Sequence, residues 1–344
     1  MFIIGEDRRL IVPRTELTYP GHNERMHENA ATAPVDHVMA DLEDACPYEF
    51  KGEKSRNTII DAFNQLDYGD KVVTFRPNNI HSTFFLGDVE SLMRSAVDKF
   101  HGIILPKVTG PEDIIYVSRL LDSLELEAGW NHRVQIEALI ETPEAMVRVH
   151  EIATASPRMA GLIFGIADFA AVMGIVEVID NQNINFHAAK QTMAVAAKAA
   201  GLHAIDNVFF NLVRRDTSEE DKEVIEESLY KKNVGAANLG MDGTWVIHPQ
   251  QAEMANKAYT PSDELTEYSK GLIEYYHKQG GGAFVYPETG EFVDEATAKG
   301  YLVLLAKAGQ AGKLDTEWLV NQAKRHAEVT GYDVLHQAGR SLGA

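Results

Sequence analysis

Cysteine is almost missing from this chain: Cys46 is the single one in 344 residues. One thiol excludes an intrachain disulfide framework and any multi-thiolate zinc site. Cys46 directly follows Asp41-Leu42-Glu43-Asp44-Ala45, where negative charge raises a thiol pKa, so an inert buried thiol is expected rather than a nucleophile. Apolar runs long enough to span a bilayer are also missing, which argues against a membrane protein. The N-terminal stretch Met1 to Arg9 lacks the basic leader and long apolar core of a secretory signal, so the expected location is cytoplasmic. Positive charge is scarce: 32 Lys and Arg stand against 51 Asp and Glu, a formal net charge of −19. Such a balance excludes a nucleic-acid surface, which needs a basic patch. It also sets a condition on any anionic ligand, whose repulsion by the overall field must be offset by local Arg or Lys within a cleft.

What is present is an ordinary globular composition, 45% apolar and 24% charged, sufficient to bury a full core. The length suits either two ordinary domains or one barrel of about 250 residues with an appendage. Strand-like blocks run from Leu10 to Pro13, His37 to Glu43, Lys71 to Arg76, Gly102 to Val108, Val134 to Thr142, Gly161 to Gly165, His203 to Val208 and Thr244 to Ile247. Amphipathic helical stretches lie between them, among them Val89 to Lys99, Pro111 to Leu126, Pro143 to Ala155, Ala188 to Ala200 and Ser218 to Lys232. Eight strands in strict alternation with helices predict an α/β fold, a (β/α)₈ TIM barrel. The rival, a doubly wound open sheet, often carries a glycine-rich phosphate loop after its first strand. Here that position reads Pro13-Arg14-Thr15-Glu16, with no Gly-x-Gly.

Beyond about Thr260 the pattern changes. A helix from Ser262 to Lys278 leads into Gly280-Gly281-Gly282. Next come Ala283 to Tyr286, Pro287-Glu288-Thr289-Gly290 and Glu291 to Asp294, which together read as a hairpin. A helix from Glu295 to Ala308 follows, and the tail from Asp315 to Ala344 holds one more amphipathic helix. The expected division is therefore a barrel over residues 1–258 and a C-terminal helical and hairpin extension over 259–344. The extension is expected to act as a lid or as an arm reaching a neighbouring subunit.

Two acids stand at the ends of strand-like runs separated by one helical segment: Glu141 closes Val134 to Thr142, and Asp168 closes Gly161 to Asp168. Parallel strands joined by crossover helices present their C-terminal ends on one rim, so such carboxylates converge and suit a hard cation such as Mg²⁺. On their own the two acids are equally well explained as unrelated surface-loop carboxylates. Other strands also end in charge. Arg76 shares a face with Val72 and Thr74, Lys107 with Ile103 and Leu105, and Glu141 with Leu139 and Glu137. Charged ends on strands buried on both faces are hard to explain as solvation. Glu137, deeper on its strand, is expected to be structural and paired with Lys107 or Arg76. Glu43 and Asp44 fit as acceptors that orient metal-bound water, with a structural salt-bridge role for either one alone equally open.

Taken in order, several segments resemble the citrate lyase β-subunit-like (HpcH/HpaI aldolase/citrate lyase) family, and within it the malyl-CoA, β-methylmalyl-CoA and citramalyl-CoA lyase branch. They are Ala40-Asp41-Leu42-Glu43-Asp44, Phe75-Arg76-Pro77-Asn78, Leu105-Pro106-Lys107-Val108, Ile140-Glu141-Thr142, Ala155-Ser156-Pro157-Arg158, Phe164-Gly165-Ile166-Ala167-Asp168-Phe169, Ile247-His248-Pro249-Gln250-Gln251 and Phe292-Val293-Asp294. The resemblance implies that Glu141 and Asp168 bind Mg²⁺ (or Mn²⁺) holding a 2-oxo acid, and that Arg76 stabilises a thioester enolate. It implies that Asp294, donated across a subunit interface, moves the proton of the acyl-CoA carbon; Arg76, Asp294, Glu43 and Asp44 are the expected catalytic residues. Arg25 matches a basic position near the CoA phosphates, and the loop bearing Ile247 and Pro249 a substrate loop. A homo-oligomer, trimer or hexamer, is implied as well.

The expected reaction is reversible cleavage of a 3-hydroxyacyl-CoA, such as malyl-CoA or β-methylmalyl-CoA, into acetyl-CoA or propionyl-CoA and glyoxylate, or of citramalyl-CoA into acetyl-CoA and pyruvate. The partners are therefore small molecules, an acyl-CoA and a 2-oxo acid. Two departures from the branch stand out. Arg14-Thr15-Glu16 replaces a Gly-Ser-Arg stretch common after the first strand, and the segment from Gly174 to His187 is shorter than is typical, which points to a different substrate length or branching. Alternatives are a malate synthase or malyl-CoA thioesterase relative that admits water, a CoA-independent pyruvate aldolase, and a non-catalytic CoA-ester-binding protein.

Overall fold

The computed structural model describes residues 2–4, 9–176 and 186–331. Eight parallel strands close into a barrel: β1 Thr15–Pro20, β2 His37–Asp41, β3 Val72–Arg76, β4 Gly102–Leu105, β5 Gln135–Ile140, β6 Met159–Phe164, β7 His203–Asp206 and β8 Gly243–Val246. Each strand pairs with its sequence neighbour, and β8 returns to β1 through Thr244 opposite Thr15 and Val246 opposite Leu17. Val, Ile, Leu and Phe fill β3 to β6, and every residue of those four strands is buried, as expected where helices cover the outer face.

The expected first strand needs correction. Arg9–Ile11 does form a short strand, but it pairs with Phe2–Ile4 outside the barrel, and the first barrel strand is β1. The physical reason lies in its composition. Thr15, Glu16 and Thr18 break the apolar run that marks the other strands, yet all three are buried.

The crossover helices are α1 Glu24–Thr32, α2 Glu53–Gln65, α3 Phe85–Ser95, α4 Pro111–Ala128, α5 Pro143–Val147, α6 Val149–Ala153, α7 Ile166–Met173, α8 His187–Ala199 and α9 Glu219–Asn238. The single helix expected from Pro143 to Ala155 is two short ones, because Arg148 leaves helical geometry at φ −104° and ψ 14°. The junction after β5 follows its sequence signals. Thr142 caps α5 by accepting from the Ala145 amide at 3.0 Å, with Pro143 in the first helical turn. Among the described residues no helix is long and apolar enough to cross a membrane.

The chain divides into two compact units, one running from Pro13 to Ala258 and one beginning at Tyr259, to which Arg9–Ile11 also belongs. In the second unit, Asp263–Lys278, Glu295–Gln310 and Thr316–Thr330 pack around Leu272, Ile273, Tyr276, Leu302 and Leu305. Phe284–Val285 and Phe292–Val293 pair antiparallel across the expected turn, with the Gly290 amide donating to Tyr286 O at 2.8 Å. The segment from Gly174 to His187 falls largely outside the described residues.

Candidate active site

The C-terminal ends of β2, β3 and β5 carry an unusual density of charge. Arg76, the last residue of β3, is 3% exposed. Its Nε and Nη2 donate to Asp41 Oδ1 and Oδ2 at 2.7 and 2.5 Å, and Asp41 is the last residue of β2. The same two carboxylate oxygens accept from the amides of Glu43 and Ala45, each at 2.8 Å, so the turn after β2 is wound around Asp41. Arg76 Nη1 lies 3.3 Å from Glu43 Oε2 and 3.9 Å from Asp44 Oδ2, and the guanidinium stands 5.3 Å from the Trp245 ring centroid. Burial works against the guanidinium's charge, but Asp41 outweighs it and holds Arg76 firmly protonated. Burial also disfavours the Asp41 carboxylate, and Arg76 more than reverses this, leaving its pKa low.

Lys107 knits the rim together. It follows β4 with φ of 52°, left-handed backbone uncommon for a residue with a Cβ. That turn aims its amide at Glu141 Oε1, 2.6 Å away, and its Nζ at Glu43 Oε1, 2.6 Å away. Asp44 Oδ1 lies 3.4 Å and Asp168 Oδ2 3.9 Å from the same ammonium. Burial opposes the Lys107 charge, yet Glu43 and its neighbours raise its pKa. Burial pushes Glu43 upward in turn, but with two cations at 2.6 and 3.3 Å the geometry favours its ionised form.

Glu141 follows β5 directly and is 2% exposed. Burial pushes its carboxyl up to about 8 against the opposing charge of Arg76. Gly165 makes room for it: a Cβ there would stand 2.4 Å from Glu141 Cβ and 2.7 Å from Oε2. A buried carboxylate with so costly a charge, beside a second, half-exposed carboxylate that adds repulsion, is an all-oxygen donor set for a hard divalent cation that keeps several waters. The residues therefore fit a Mg²⁺ site.

The family profile described as HpcH/HpaI aldolase/citrate lyase matches residues 14–249, the stretch that builds the barrel and this rim. The chain belongs to the HpcH/HpaI aldolase/citrate lyase family. It is 32% identical over 313 residues to the L-malyl-CoA/beta-methylmalyl-CoA lyase of Cereibacter sphaeroides, covering 86% of this chain and 94% of that one. It is 28% identical to the malyl-CoA/beta-methylmalyl-CoA/citramalyl-CoA lyase of Chloroflexus aurantiacus, over 87% of this chain and 88% of the relative. Among solved structures, the citrate lyase beta subunit of M. tuberculosis complexed with oxaloacetate and magnesium shares 25% identity and a TM-score of 0.58, over 72% of this chain and 97% of that one. A citrate lyase of Burkholderia xenovorans superposes with a TM-score of 0.73 at 21% identity over 93% of this chain and shares the fold.

Within this family member the expected site residues fall in four places. Arg76, Glu43, Asp44, Glu141 and Asp168 meet on one rim around Lys107. Asp168 gets there differently from expectation: β6 ends at Phe164, and Asp168 sits in the first turn of α7, where a carboxylate is favoured by the helix dipole. Ile247 and Pro249 lie in the loop after β8, where the amides of Ile247 and His248 donate to Gln251 Oε1 at 2.9 and 3.2 Å. Arg25 is exposed in the first turn of α1, a position where a cation gains nothing from the helix dipole. Asp294 belongs to the C-terminal unit. There it caps Glu295–Gln310, accepting from the Thr297 amide at 2.9 Å, which holds its carboxyl below its usual range.

Glu137 is a correction. It pairs with neither Lys107 nor Arg76 but lies against His203 inside the barrel. Glu141 lies four positions further along the chain, about 13 Å at about 3.3 Å per residue, which puts Glu137 out of reach of the rim cations. Sequence reasoning assigned no site role to Asp41, Gly165 or Trp245. Asp41 had a usable signal, since it precedes Glu43 by two and so shares its face. The other two depend on packing between strands distant in sequence.

Proposed function

We propose that this protein is a Mg²⁺-dependent carbon–carbon lyase that reversibly cleaves a 3-hydroxyacyl-CoA bearing a terminal carboxylate, such as malyl-CoA or β-methylmalyl-CoA, into a short acyl-CoA and a 2-oxo acid such as glyoxylate. The observation that carries the reading is a buried, fixed guanidinium, Arg76, on one rim with Glu141 and Asp168. Likeness to lyases that act on malyl-CoA esters supports it.

In cleavage, the 3-hydroxyl releases its proton to solvent as it becomes the oxo group, and electrons from the breaking carbon–carbon bond collect on the thioester as an enolate. Arg76 is the donor for that oxyanion: Asp41 fixes its plane, so no reorganisation is needed as charge develops. Glu141 and Asp168 hold the cation, which when bound polarises the oxo-acid oxygen as a Lewis acid. The Lys107 ammonium spreads the repulsion among Glu43, Asp44 and Asp168 and keeps the rim compact. Asp294, supplied by a partner copy of the chain, exchanges the proton at the acyl carbon. Its low pKa keeps it ionised and ready to accept in the condensation direction. Arg25 meets the CoA phosphates against the chain's overall negative field, and the Ile247 to Pro249 loop borders the substrate.

The test is an assay of the purified protein with malyl-CoA, β-methylmalyl-CoA and citramalyl-CoA, with and without Mg²⁺, following free thiol and oxo acid separately. Oxo acid released from at least one thioester supports the lyase. No oxo acid from any of them rejects it, and free CoA appearing with intact malate assigns the chain to hydrolysis instead.

A further inference from the structure

A second cluster of ionisable groups lies at the opposite end of the barrel lumen and takes no part in the chemistry above. Glu16 is the second residue of β1, His37 the first of β2, Glu137 the third of β5 and His203 the first of β7. Strands β1, β5 and β7 are not neighbours in the sheet, so contacts among these side chains cross the interior. All four are at most 1% exposed. One carboxylate oxygen each from Glu16 and Glu137 and one ring nitrogen of His203 lie within 4.8 Å of one another. His203 Nε2 abuts Glu137 Oε1 and stands 3.9 Å from Glu16 Oε1. His37 Nδ1 lies 3.2 Å from Glu16 Oε1 and 3.9 Å from Glu137 Oε2.

These groups face one point, with His203 Nε2 and Glu137 Oε1 in hydrogen-bond contact there. Thr74 Oγ1 donates to Val38 O at 3.3 Å, so it receives the His37 Nε2 proton at 2.7 Å, which leaves Nδ1 presenting a lone pair to the acids. Among the described residues neither oxygen of Glu16 nor Oε2 of Glu137 has a hydrogen-bond partner. Burying carboxylates in that state is costly. One proton shared between the two acids serves a single contact, whereas a cation serves all the facing donors at once. The backbone is shaped to the cluster as well: a Cβ on Gly161 would stand 2.1 Å from His203 Nε2 and 2.8 Å from Glu137 Oε1.

We propose that the barrel lumen holds a structural divalent cation of the zinc class, ligated by Glu16, Glu137 and His203 with His37 as the fourth donor. Mixed imidazole and carboxylate donors suit a borderline transition cation rather than Mg²⁺, and the Thr74 bond orients His37 as a second partner orients a metal-bound histidine. Full burial implies that the ion is taken up as the barrel folds and is retained thereafter. This would distinguish it from a rim cation, beside which Asp44 and Asp168 are partly exposed.

Native protein dialysed against EDTA, then measured by inductively coupled plasma mass spectrometry, tests this. Stoichiometric zinc is expected to survive dialysis, to be released when the protein is unfolded in guanidinium, and to persist in Glu141→Gln. It is expected to be lost in Glu16→Gln and His203→Gln. If those variants do not fold, wild-type protein refolded with Co²⁺ reads the same site: a visible Co²⁺ absorption that withstands EDTA and persists in Glu141→Gln is expected. Substoichiometric metal in native protein, or zinc or Co²⁺ absorption that follows Glu141, overturns the proposal.

Discussion

Asp41 grips Arg76 through both carboxylate oxygens, at 2.7 and 2.5 Å, with each residue the last of its strand. The pair fixes the guanidinium that the proposed mechanism relies on. Asp41→Asn is expected to lower kcat by about 100-fold, the cost of misplacing a catalytic group by about an ångström, with a smaller change in KM. It is also expected to destabilise the fold by about 3–5 kcal/mol, as breaking a buried pair does. Steady-state kinetics and urea denaturation of one preparation check both. Near-normal kcat would remove Asp41 from a positioning role.

Gly165→Ala is a second probe of the rim, aimed chiefly at Glu141, with a lesser contact on Leu139 Cδ2 at 3.3 Å. The added Cβ would stand 2.4 Å from Glu141 Cβ, and the glycine's φ of −89° is open to alanine, so side-chain displacement is the main effect. Weaker Mg²⁺ binding by isothermal titration calorimetry and loss of oxo-acid release are expected, with the far-UV circular dichroism unchanged. Unaltered Mg²⁺ affinity would move the cation away from Glu141.

Asp294 does two things that one substitution can separate. As the cap of Glu295–Gln310 it stabilises the C-terminal unit, and serine caps about as well as aspartate. Asp294→Ser is therefore expected to keep the thermal midpoint within a few degrees and to abolish turnover while leaving Mg²⁺ binding intact. Full activity in this variant would confine Asp294 to capping.

His27 sets a pH dependence of stability on the barrel unit. It is buried, and its Nε2–H donates to Gly21 O at 2.9 Å, which leaves Nδ1 to accept from the Tyr19 hydroxyl at 3.1 Å. Burial lowers its pKa from the ordinary 6.5 to about 4. Over that window the unfolded chain binds the proton and the folded chain does not. The contribution is thus full above about 6.5 and is lost as the pH falls towards about 4, by up to about 1.4 kcal/mol per pH unit. Urea midpoints across this window are expected to fall less steeply in His27→Gln than in wild type. Parallel profiles would exclude His27 as the group responsible.

The barrel was legible because β2 to β8 are apolar runs bounded by helix caps and turns, as at Thr142-Pro143. β1 was not, because its inward residues include Glu16, whose partners Glu137 and His203 come from strands more than 100 residues away. The same non-local pairing hid the true environment of Glu137. The acids of the rim were visible as charges at strand ends. The Asp41–Arg76 clamp and the space left by Gly165 depend on register between neighbouring strands, where Asp41 lies opposite Arg76. Periodicity within one strand carries no record of that register.

Release of glyoxylate and acetyl-CoA from malyl-CoA, titrated with Mg²⁺ in wild type and in Glu141→Gln, tests the central claim most directly. The account predicts equal amounts of the two products, dependent on Mg²⁺, suppressed by EDTA and lost in the variant. Glyoxylate release that is indifferent to both EDTA and Glu141→Gln, or malate and free CoA in its place, would contradict it.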